Sequence, residues 1–138
     1  MSGARRDGVL VGKARAARLR AWAPYSGFRV GAAVRAGRRT FTGANVENAS
    51  YGLTICAERA AVVAAVLAGA RDLGAVAVAS DTVPPTPPCG ACLQTLAEFA
   101  GPGLPVTLSG GRGSRVETTL GELLPRAFRS LPPERRRG

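Results

Sequence analysis

The stretch that decides the fold is residues 54–67, TICAERAAVVAAVL, where a cysteine and an acid–base pair precede a run of small apolar residues. A helix that is apolar nearly all round is normally buried in a protein core. We therefore predict a buried helix over residues 55–67, with Thr54 as its N-cap. Cys56 then lies in the first turn, two residues before the charged pair Glu58-Arg59.

Strand and helix patterns alternate on both sides of this helix. Apolar residues spaced four, three and four apart predict an N-terminal helix, and two apolar segments around the turn RAGRR predict a β-hairpin. The predicted elements are a helix at 9–22, hairpin strands at 28–34 and 40–46, a buried strand at 73–80, a second helix at 89–100, short strands at 104–109 and 114–119, and a closing turn or helix at 120–128. This order predicts one α/β domain over residues 1–138 with a mixed sheet, ending in a flexible basic tail from about residue 130.

Length and composition restrict where the protein works. Its 138 residues are 46% hydrophobic, which is enough for one ordinary core. The longest apolar run, residues 60–70, is about half of the roughly 20 residues that a membrane span needs. Charged residues interrupt the N-terminal segment, so no export signal is predicted and the expected location is the cytoplasm.

The formal charge of the chain is +10, nearly all of it from arginine. A strongly basic domain raises the question of nucleic-acid binding. The charge gathers in an N-terminal segment, at the hairpin turn and in the tail, and few aromatic residues are interleaved with it for base stacking. Solvated surface charge is the favoured interpretation, and nucleic acid is not the expected partner.

Histidine is absent from the chain, and this absence excludes several kinds of catalysis. Ser-His-Asp and Cys-His mechanisms are not available within one chain. Any metal site must use cysteine, aspartate or glutamate. Any general base must be a carboxylate, a lysine or a tyrosine.

The three cysteines, Cys56, Cys89 and Cys92, form the strongest candidate site. An odd count argues against a complete disulfide framework. Cys89 and Cys92 are separated by two residues at a predicted helix start, so both sulfurs share one face and can bind one metal ion. Helix N-termini also favour thiolate over thiol. Three buried free cysteines, or a redox dithiol, are the alternatives.

Three sulfurs leave a tetrahedral zinc ion one ligand short. Structural zinc is normally closed by four protein ligands, whereas catalytic zinc keeps one position for water. A catalytic ion is therefore predicted, unless a carboxylate completes the site. Glu58 points well away from Cys56 on a helix and is the candidate general base for that water. Arg59 is predicted to donate hydrogen bonds to the thiolates and offset their charge.

The segments NVENASYGLTICAERAA (45–61) and PCGACLQ (88–94) resemble the homotetrameric zinc-dependent cytidine deaminases. The likeness extends roughly from PYSGFRVGAA (24–33) to LGELLPRAF (120–128). It implies a three-layer α/β/α fold around a five-stranded mixed sheet. It also implies hydrolysis of cytidine and deoxycytidine to uridine and deoxyuridine with release of ammonia. One zinc ion per chain would be held by the three cysteines.

The same resemblance implies roles for individual residues. Glu58 would carry protons from the zinc-bound water to the ring and to the departing amine. Substrate contacts would come from the Asn45 and Glu47 side chains on the ribose hydroxyls, Phe28 on the pyrimidine, the backbone of Ala57 on the base or water, and Tyr51 and Phe128 reaching across subunit contacts. A homotetramer whose neighbouring subunits complete each active site is therefore expected. Leu93 departs from the pattern, because many relatives have arginine before this glutamine.

Two other functions fit these residues. The first is deamination of another aminopyrimidine, either a blasticidin-type nucleoside or a base within nucleic acid; Asn45 and Glu47 favour a free ribose instead. The second is a non-catalytic, zinc-stabilised module that binds nucleic acid. Such a module predicts salt-sensitive binding and an ion closed by four protein ligands.

Overall fold

A computed structural model describes the backbone of residues 3–129 and the side chains of residues 8–129. Five strands and four helices follow the predicted order. They are α1 (Gly3–Arg18), β1 (Gly31–Ala36), β2 (Arg39–Ala44), α2 (Ala57–Leu67), β3 (Ala75–Ala79), α3 (Gly90–Phe99), β4 (Pro105–Ser109), β5 (Arg115–Thr119) and α4 (Leu120–Leu123). The predicted basic tail lies outside the described residues, so its flexibility and the extent of the single domain stay predictions.

The five strands form one mixed sheet in the order β2-β1-β3-β4-β5. Strands β1 and β2 are the predicted hairpin, and only the pair β3–β4 is parallel. A parallel pair needs a crossover connection, which α3 supplies between β3 and β4. The carboxyl end of β3 and the start of α3 are therefore joined by the proline-rich segment 80–89 at one edge of the sheet.

Helices cover both faces of the sheet and give the predicted three layers. One face packs against α1 through small side chains, with Leu10 and Ala14 against Ala33, Ala75, Ala77 and Ala79. The other face packs against α2, α3 and α4 and forms the larger core, which includes Val62, Leu96, Val106 and Leu120. The α/β/α fold with a five-stranded mixed sheet is confirmed. None of the described helices is both long and apolar enough to cross a membrane.

The structure corrects two details of the predicted central helix. Cys56, not Thr54, is the N-cap residue of α2, because Ile55 is held in an extended conformation by a bridge to Val46. The helix is also not buried on every side, since Val63 is 62% exposed and Leu67 is 88% exposed. The apolar pattern of a helix does not by itself reveal which of its faces has no element of the same chain packed against it.

A glycine in β2 allows α2 to lie directly on the sheet. A Cβ atom at Gly43 would lie 2.5 Å from the amide nitrogen of Ala61 and 2.6 Å from the carbonyl oxygen of Ala57. Both contacts are with helix backbone, which cannot move aside as a flexible side chain can. The first turn of α2 is therefore fixed against β2.

Three arginines donate to carbonyls at, or just beyond, the C-terminal ends of helices. The bonds run from Arg39 to the carbonyl of Ala68, from Arg71 to the carbonyls of Val66 and Ala70, and from Arg129 to the carbonyls of Ala97 and Ala100. Between the described side chains, ion pairs form at Arg18–Asp81 (3.0 Å) and Arg115–Glu117 (2.6 Å). Three of the 18 arginines thus support helix ends.

Candidate metal centre and pocket

The three cysteine sulfurs meet where two helices begin. Cys56 and Cys89 are the N-cap residues of α2 and α3, and Cys92 lies in the first turn of α3. The Sγ atoms of Cys89 and Cys92 are 3.5 Å apart, those of Cys56 and Cys89 are 4.0 Å apart, and all three lie within 4.8 Å of one another. A tetrahedral zinc ion with bonds of about 2.3 Å places its sulfur ligands about 3.8 Å apart. The predicted trio is therefore placed to bind one zinc ion.

The electrostatics of the sulfur cluster also suit a cation. Burial raises the pKa values of Cys56 and Cys92, and the nearby Glu58 carboxylate raises that of Cys92 further. Burial also acts to raise the pKa of Cys89, but hydrogen bonding from the backbone and thiol of Cys92 outweighs it and lowers the pKa. Three neighbouring thiolates and a carboxylate repel one another. A divalent ion held by the three sulfurs would offset part of that repulsion.

Glu58 lies beside this cluster, in the first turn of α2. Its side chain is 5% exposed, and burial raises its pKa above the usual range for glutamate. A carboxyl group with a raised pKa both accepts and releases a proton more readily near neutral pH than an exposed one does. The position and the burial suit the predicted proton carrier.

Arg59 lies beside Cys56, as predicted, but its described hydrogen bond is to the backbone. Its Nη2 donates to the carbonyl of Thr54 at 3.0 Å. Its Nε is buried and has no hydrogen-bond partner among the described atoms, while the neighbouring Cys56 sulfur raises the pKa of the guanidinium. A buried, unpaired N–H next to sulfur fits a site whose thiolates carry negative charge.

A pocket of about 250 Å³ opens beside the sulfur cluster. Cys56, Cys89 and Glu58 line its metal end. Four of the predicted substrate-binding residues also line it: Phe28, Asn45, Glu47 and Ala57. The structure therefore brings the predicted proton carrier, two metal ligands and most of the predicted substrate contacts into one cavity.

Asn45 and Glu47 hold the loop that carries Phe28. The Asn45 side chain accepts a hydrogen bond from the amide of Val30 at 2.8 Å and donates one to the carbonyl of Phe28 at 2.7 Å. Both side chains are 8% exposed. Their remaining hydrogen-bonding capacity is available on the pocket side.

Ser26 anchors Glu47 in this loop. Glu47 Oε1 accepts from the amides of Tyr25 (2.9 Å) and Ser26 (3.1 Å), and Oε2 accepts from the Ser26 hydroxyl. The Ser26 oxygen in turn accepts from the amide of Phe28 at 2.9 Å. The Ser26 hydroxyl is the main cause that lowers the pKa of Glu47, so this carboxylate stays ionised.

Tyr51 and Phe128 do not line the pocket of their own chain. Tyr51 is 67% exposed and packs its ring edge-on against Tyr25, and Phe128 is 65% exposed. Leu93, which departs from the expected arginine, is buried in the main core, and Gln94 donates to the carbonyl of Phe128. The departure therefore replaces a polar position with core packing.

Sequence patterns did not single out several residues in or beside the pocket. Ser26 does not line the pocket, and its contact with Glu47 joins residues that are 21 apart in the chain. Ser80 and Thr86 line the pocket. Ser80 directly follows the parallel strand β3, and the carboxyl ends of parallel strands are a known place for ligand sites. That signal could have identified Ser80.

The fold and the site together define a zinc-binding α/β protein of the deaminase type. The family model for the cytidine and deoxycytidylate deaminase zinc-binding region matches residues 5–106. The chain is 47% identical to a cytidine deaminase of Sporosarcina psychrophila over 120 residues, which cover 86% of this chain and 88% of that protein. The chain therefore belongs to the cytidine and deoxycytidylate deaminase family.

Solved structures agree with this assignment. A cytidine deaminase from Burkholderia pseudomallei matches with a TM-score of 0.85 and 46% identity, covering 93% of this chain and 100% of that one. A cytidine deaminase from Mycobacterium tuberculosis matches with a TM-score of 0.77 and 42% identity, covering 90% of this chain and 97% of that one. The sheet and the helices on both of its faces are thus shared with these proteins.

Proposed function

We propose that this protein hydrolyses cytidine and deoxycytidine to uridine and deoxyuridine and releases ammonia. The observation that carries the proposal is a buried carboxylate, Glu58, beside three converging sulfurs, two of which line the same pocket as Glu58. Family membership and the names of the relatives support the same activity. The alternative of a non-catalytic module is disfavoured, because among the described residues the candidate metal group contains three ligands and not four.

Cys56, Cys89 and Cys92 would hold the zinc ion. When bound, zinc acts as a Lewis acid and lowers the pKa of water to near neutrality. In the proposed reaction, water adds across the C4–N3 bond of the cytosine ring. Glu58 takes a proton from that water and gives it to N3. Glu58 then takes the remaining proton from the C4 hydroxyl and delivers it to the exocyclic amine. The bond from C4 to the exocyclic nitrogen breaks as the C4 carbonyl forms, and ammonia leaves.

The substrate contacts are part of the proposal. Asn45 and Glu47 would bind the ribose hydroxyls, Phe28 would pack on the pyrimidine, and the backbone of Ala57 would contact the base. The ionised Glu47 is an acceptor suited to hydroxyl groups. A free nucleoside is therefore favoured over a base within nucleic acid.

Loss of cytidine absorbance, measured together with zinc content, tests the activity. A panel of cytidine, deoxycytidine, a blasticidin-type nucleoside and a single-stranded oligonucleotide tests the substrate class. We expect turnover of the first two. Turnover of the last two alone would contradict the proposal.

Ser26→Ala is expected to raise KM for cytidine about tenfold and to change kcat much less, because a hydrogen bond to a carboxylate is lost away from the reacting atoms. The Ser26 hydroxyl lowers the pKa of Glu47, so its removal raises that pKa. As the pH is lowered, the KM of the variant should therefore begin to rise at a higher pH than the KM of the parent. Kinetics against pH measure both effects.

Ser50→Ala is the matched control, because Ser50 is exposed and its hydroxyl does not cap the turn that follows it. We expect parent values of KM for this control at every pH. If Ser26→Ala has the KM of the parent, and its KM rises at the same acidic pH as that of the parent, then Ser26 does not position Glu47 for substrate binding.

Arg59→Ala is expected to retain the fold but to lower zinc affinity or turnover by about 10- to 100-fold, as is typical when a group that supports metal ligands is removed. Zinc content, kcat and circular dichroism check this result. Arg38→Ala, at an exposed arginine of the hairpin turn, is the control. Unchanged zinc content and turnover in Arg59→Ala would show that its guanidinium serves only the carbonyl of Thr54.

A homotetramer whose active sites are completed by neighbouring subunits is also proposed. Its support is the large apolar side chains exposed on one chain: Trp22, Tyr25, Tyr51, Leu53, Val63, Leu67 and Phe128. Such exposure favours association. Light scattering should give four times the 14.1 kDa chain mass; a monomer that turns over cytidine would contradict this assembly.

A reducing compartment such as the cytoplasm is the proposed location. The three cysteines are free thiols in the structure, and the proposed zinc site requires all of them reduced. Thiols persist where glutathione and thioredoxin keep them reduced.

A further inference from the structure

Three side-chain hydroxyls join into a chain beside the pocket, in the segment between β3 and α3. Ser80 Oγ lies 3.2 Å from Thr82 Oγ1, and Thr86 Oγ1 lies 2.7 Å from the same oxygen. Thr82 Oγ1 donates to the carbonyl of Pro84 at 2.8 Å. Ser80 and Thr86 line the pocket, and Thr82 does not. These two lining residues are called the hydroxyl wall below.

The number of protons fixes the direction of these hydrogen bonds. Each hydroxyl has one proton to donate and two lone pairs with which to accept. Because Thr82 gives its proton to Pro84, it can only accept from its two neighbours. Ser80 and Thr86 therefore both donate to Thr82, and neither keeps a proton for the pocket.

The remaining lone pairs of the hydroxyl wall can only accept. Ser80 is 2% exposed, and a buried hydroxyl that abandons its partner loses free energy. Turning either proton towards a ligand would leave an acceptor site on Thr82 unused. Thr82, which does not line the pocket, thus keeps Ser80 and Thr86 as hydrogen-bond acceptors towards the pocket.

We propose that the hydroxyl wall selects a ligand that presents N–H donors, and so distinguishes the substrate amine from the product carbonyl. This inference rests on the proposed function, in which C4 of the pyrimidine lies at the metal end of the pocket. Thr86 is three residues from Cys89 in the chain and lines the same pocket as Cys89. Cytidine carries an amine on C4 and can donate to the wall. Uridine carries a carbonyl on C4, and no hydrogen bond can form between this carbonyl and the hydroxyl wall because both groups can only accept.

Thr82→Val tests the inference, because it removes the shared acceptor and keeps the branched shape of the side chain. Ser80 and Thr86 could then turn their protons to the pocket and donate to a carbonyl. We expect the ratio of the uridine inhibition constant to the KM for cytidine to fall about five- to tenfold, which is the effect of roughly one hydrogen bond. The kcat should change by less than about threefold. Thr82→Ser keeps the hydroxyl and should retain the parent ratio.

Thr86→Val provides a second test that does not depend on Thr82. It removes one acceptor, so we expect KM for cytidine to rise about fivefold while the uridine inhibition constant stays level or falls. A purely structural role would weaken both ligands in the same proportion. If Thr82→Val does not fold, as judged by its melting curve, the result for Thr86→Val decides. Unchanged ratios in the folded variants would overturn the inference.

The failure of the proposed function can be told apart from the failure of this inference. Absence of cytidine turnover by the parent would refute the function alone. Equilibrium dissociation constants of cytidine and uridine for the parent, Thr82→Val and Thr86→Val would then take the place of the kinetic ratio. If the parent binds cytidine more tightly than uridine and both variants lose this preference, the result supports selection by the hydroxyl wall. If the preference is unchanged in the variants, the result refutes that selection.

Discussion

Glu58→Gln should reduce kcat for cytidine by about 10³-fold while zinc content and melting temperature stay close to those of the parent. The amide has nearly the same size as the carboxyl group but cannot take up and release the proton that the reaction requires. A positioned general acid–base group contributes about 10²–10⁴ in rate. Because Glu58 both takes and delivers protons in the proposed reaction, the upper part of that range applies.

The measurement is the loss of cytidine absorbance at one wavelength, together with metal analysis of the same sample. Glu98→Gln is the matched control, since it makes the same chemical change at an exposed position of α3, and we expect it to have parent activity. Glu58→Gln that remains folded and zinc-loaded and deaminates at the parent rate would contradict the mechanism. Loss of zinc from Glu58→Gln would instead show that the carboxylate belongs to the metal site.

Cys92→Ser is expected to lose stoichiometric zinc and to reduce turnover by more than about 100-fold, since even groups that merely support metal ligands cost 10- to 100-fold. Cys92 is fully buried, so an uncoordinated hydroxyl there gains no compensation from solvent. A ligand that binds only the folded state stabilises it by about 4 kcal/mol at 1,000 times its dissociation constant. The variant should therefore also melt about 10 °C below the zinc-loaded parent.

Metal analysis and thermal unfolding check these two effects separately. Treatment of the parent with a chelator should reproduce both losses, and added zinc should reverse them in the parent but not in Cys92→Ser. A variant that keeps one zinc per chain and its melting temperature would show that Cys92 is a buried thiol and not a ligand.

Much of the metal centre could be predicted from sequence because part of its geometry is local. Cys89 and Cys92 share a helix face through their spacing alone, and Glu58 and Cys56 are separated by the same kind of short interval. The order of strands and helices also followed from periodicity, and the resemblance supplied the topology of the sheet. The spacing of Cys89 and Cys92 and the periodicity of the elements depend on residues close together in the chain, whereas the contact of Cys56 with Cys89 joins residues that are 33 apart.

Most of the remaining features depend on contacts between distant segments. The N-cap of α2 moved to Cys56 because Ile55 pairs with Val46 in a bridge that no local pattern indicates. Ser26 reaches Glu47 only after the loop before β1 folds onto the loop after β2. The hydrogen bonds of Thr82 with Ser80 and Thr86 depend on the course of a proline-rich segment, whose composition indicates stiffness but not direction.

The bonds from Arg39, Arg71 and Arg129 to helix carbonyls affect how the fold tolerates acid. A backbone carbonyl has no proton to gain, and a guanidinium keeps its charge throughout the range in which carboxylates titrate. The ends of α2 and α3 are therefore held by partners that mild acidification leaves unchanged. Exposed ion pairs, which do lose their carboxylate charge, contribute little to stability in comparison. We therefore expect the ends of α2 and α3 to stay bonded when mild acid has already protonated Glu58, whose pKa is raised by burial.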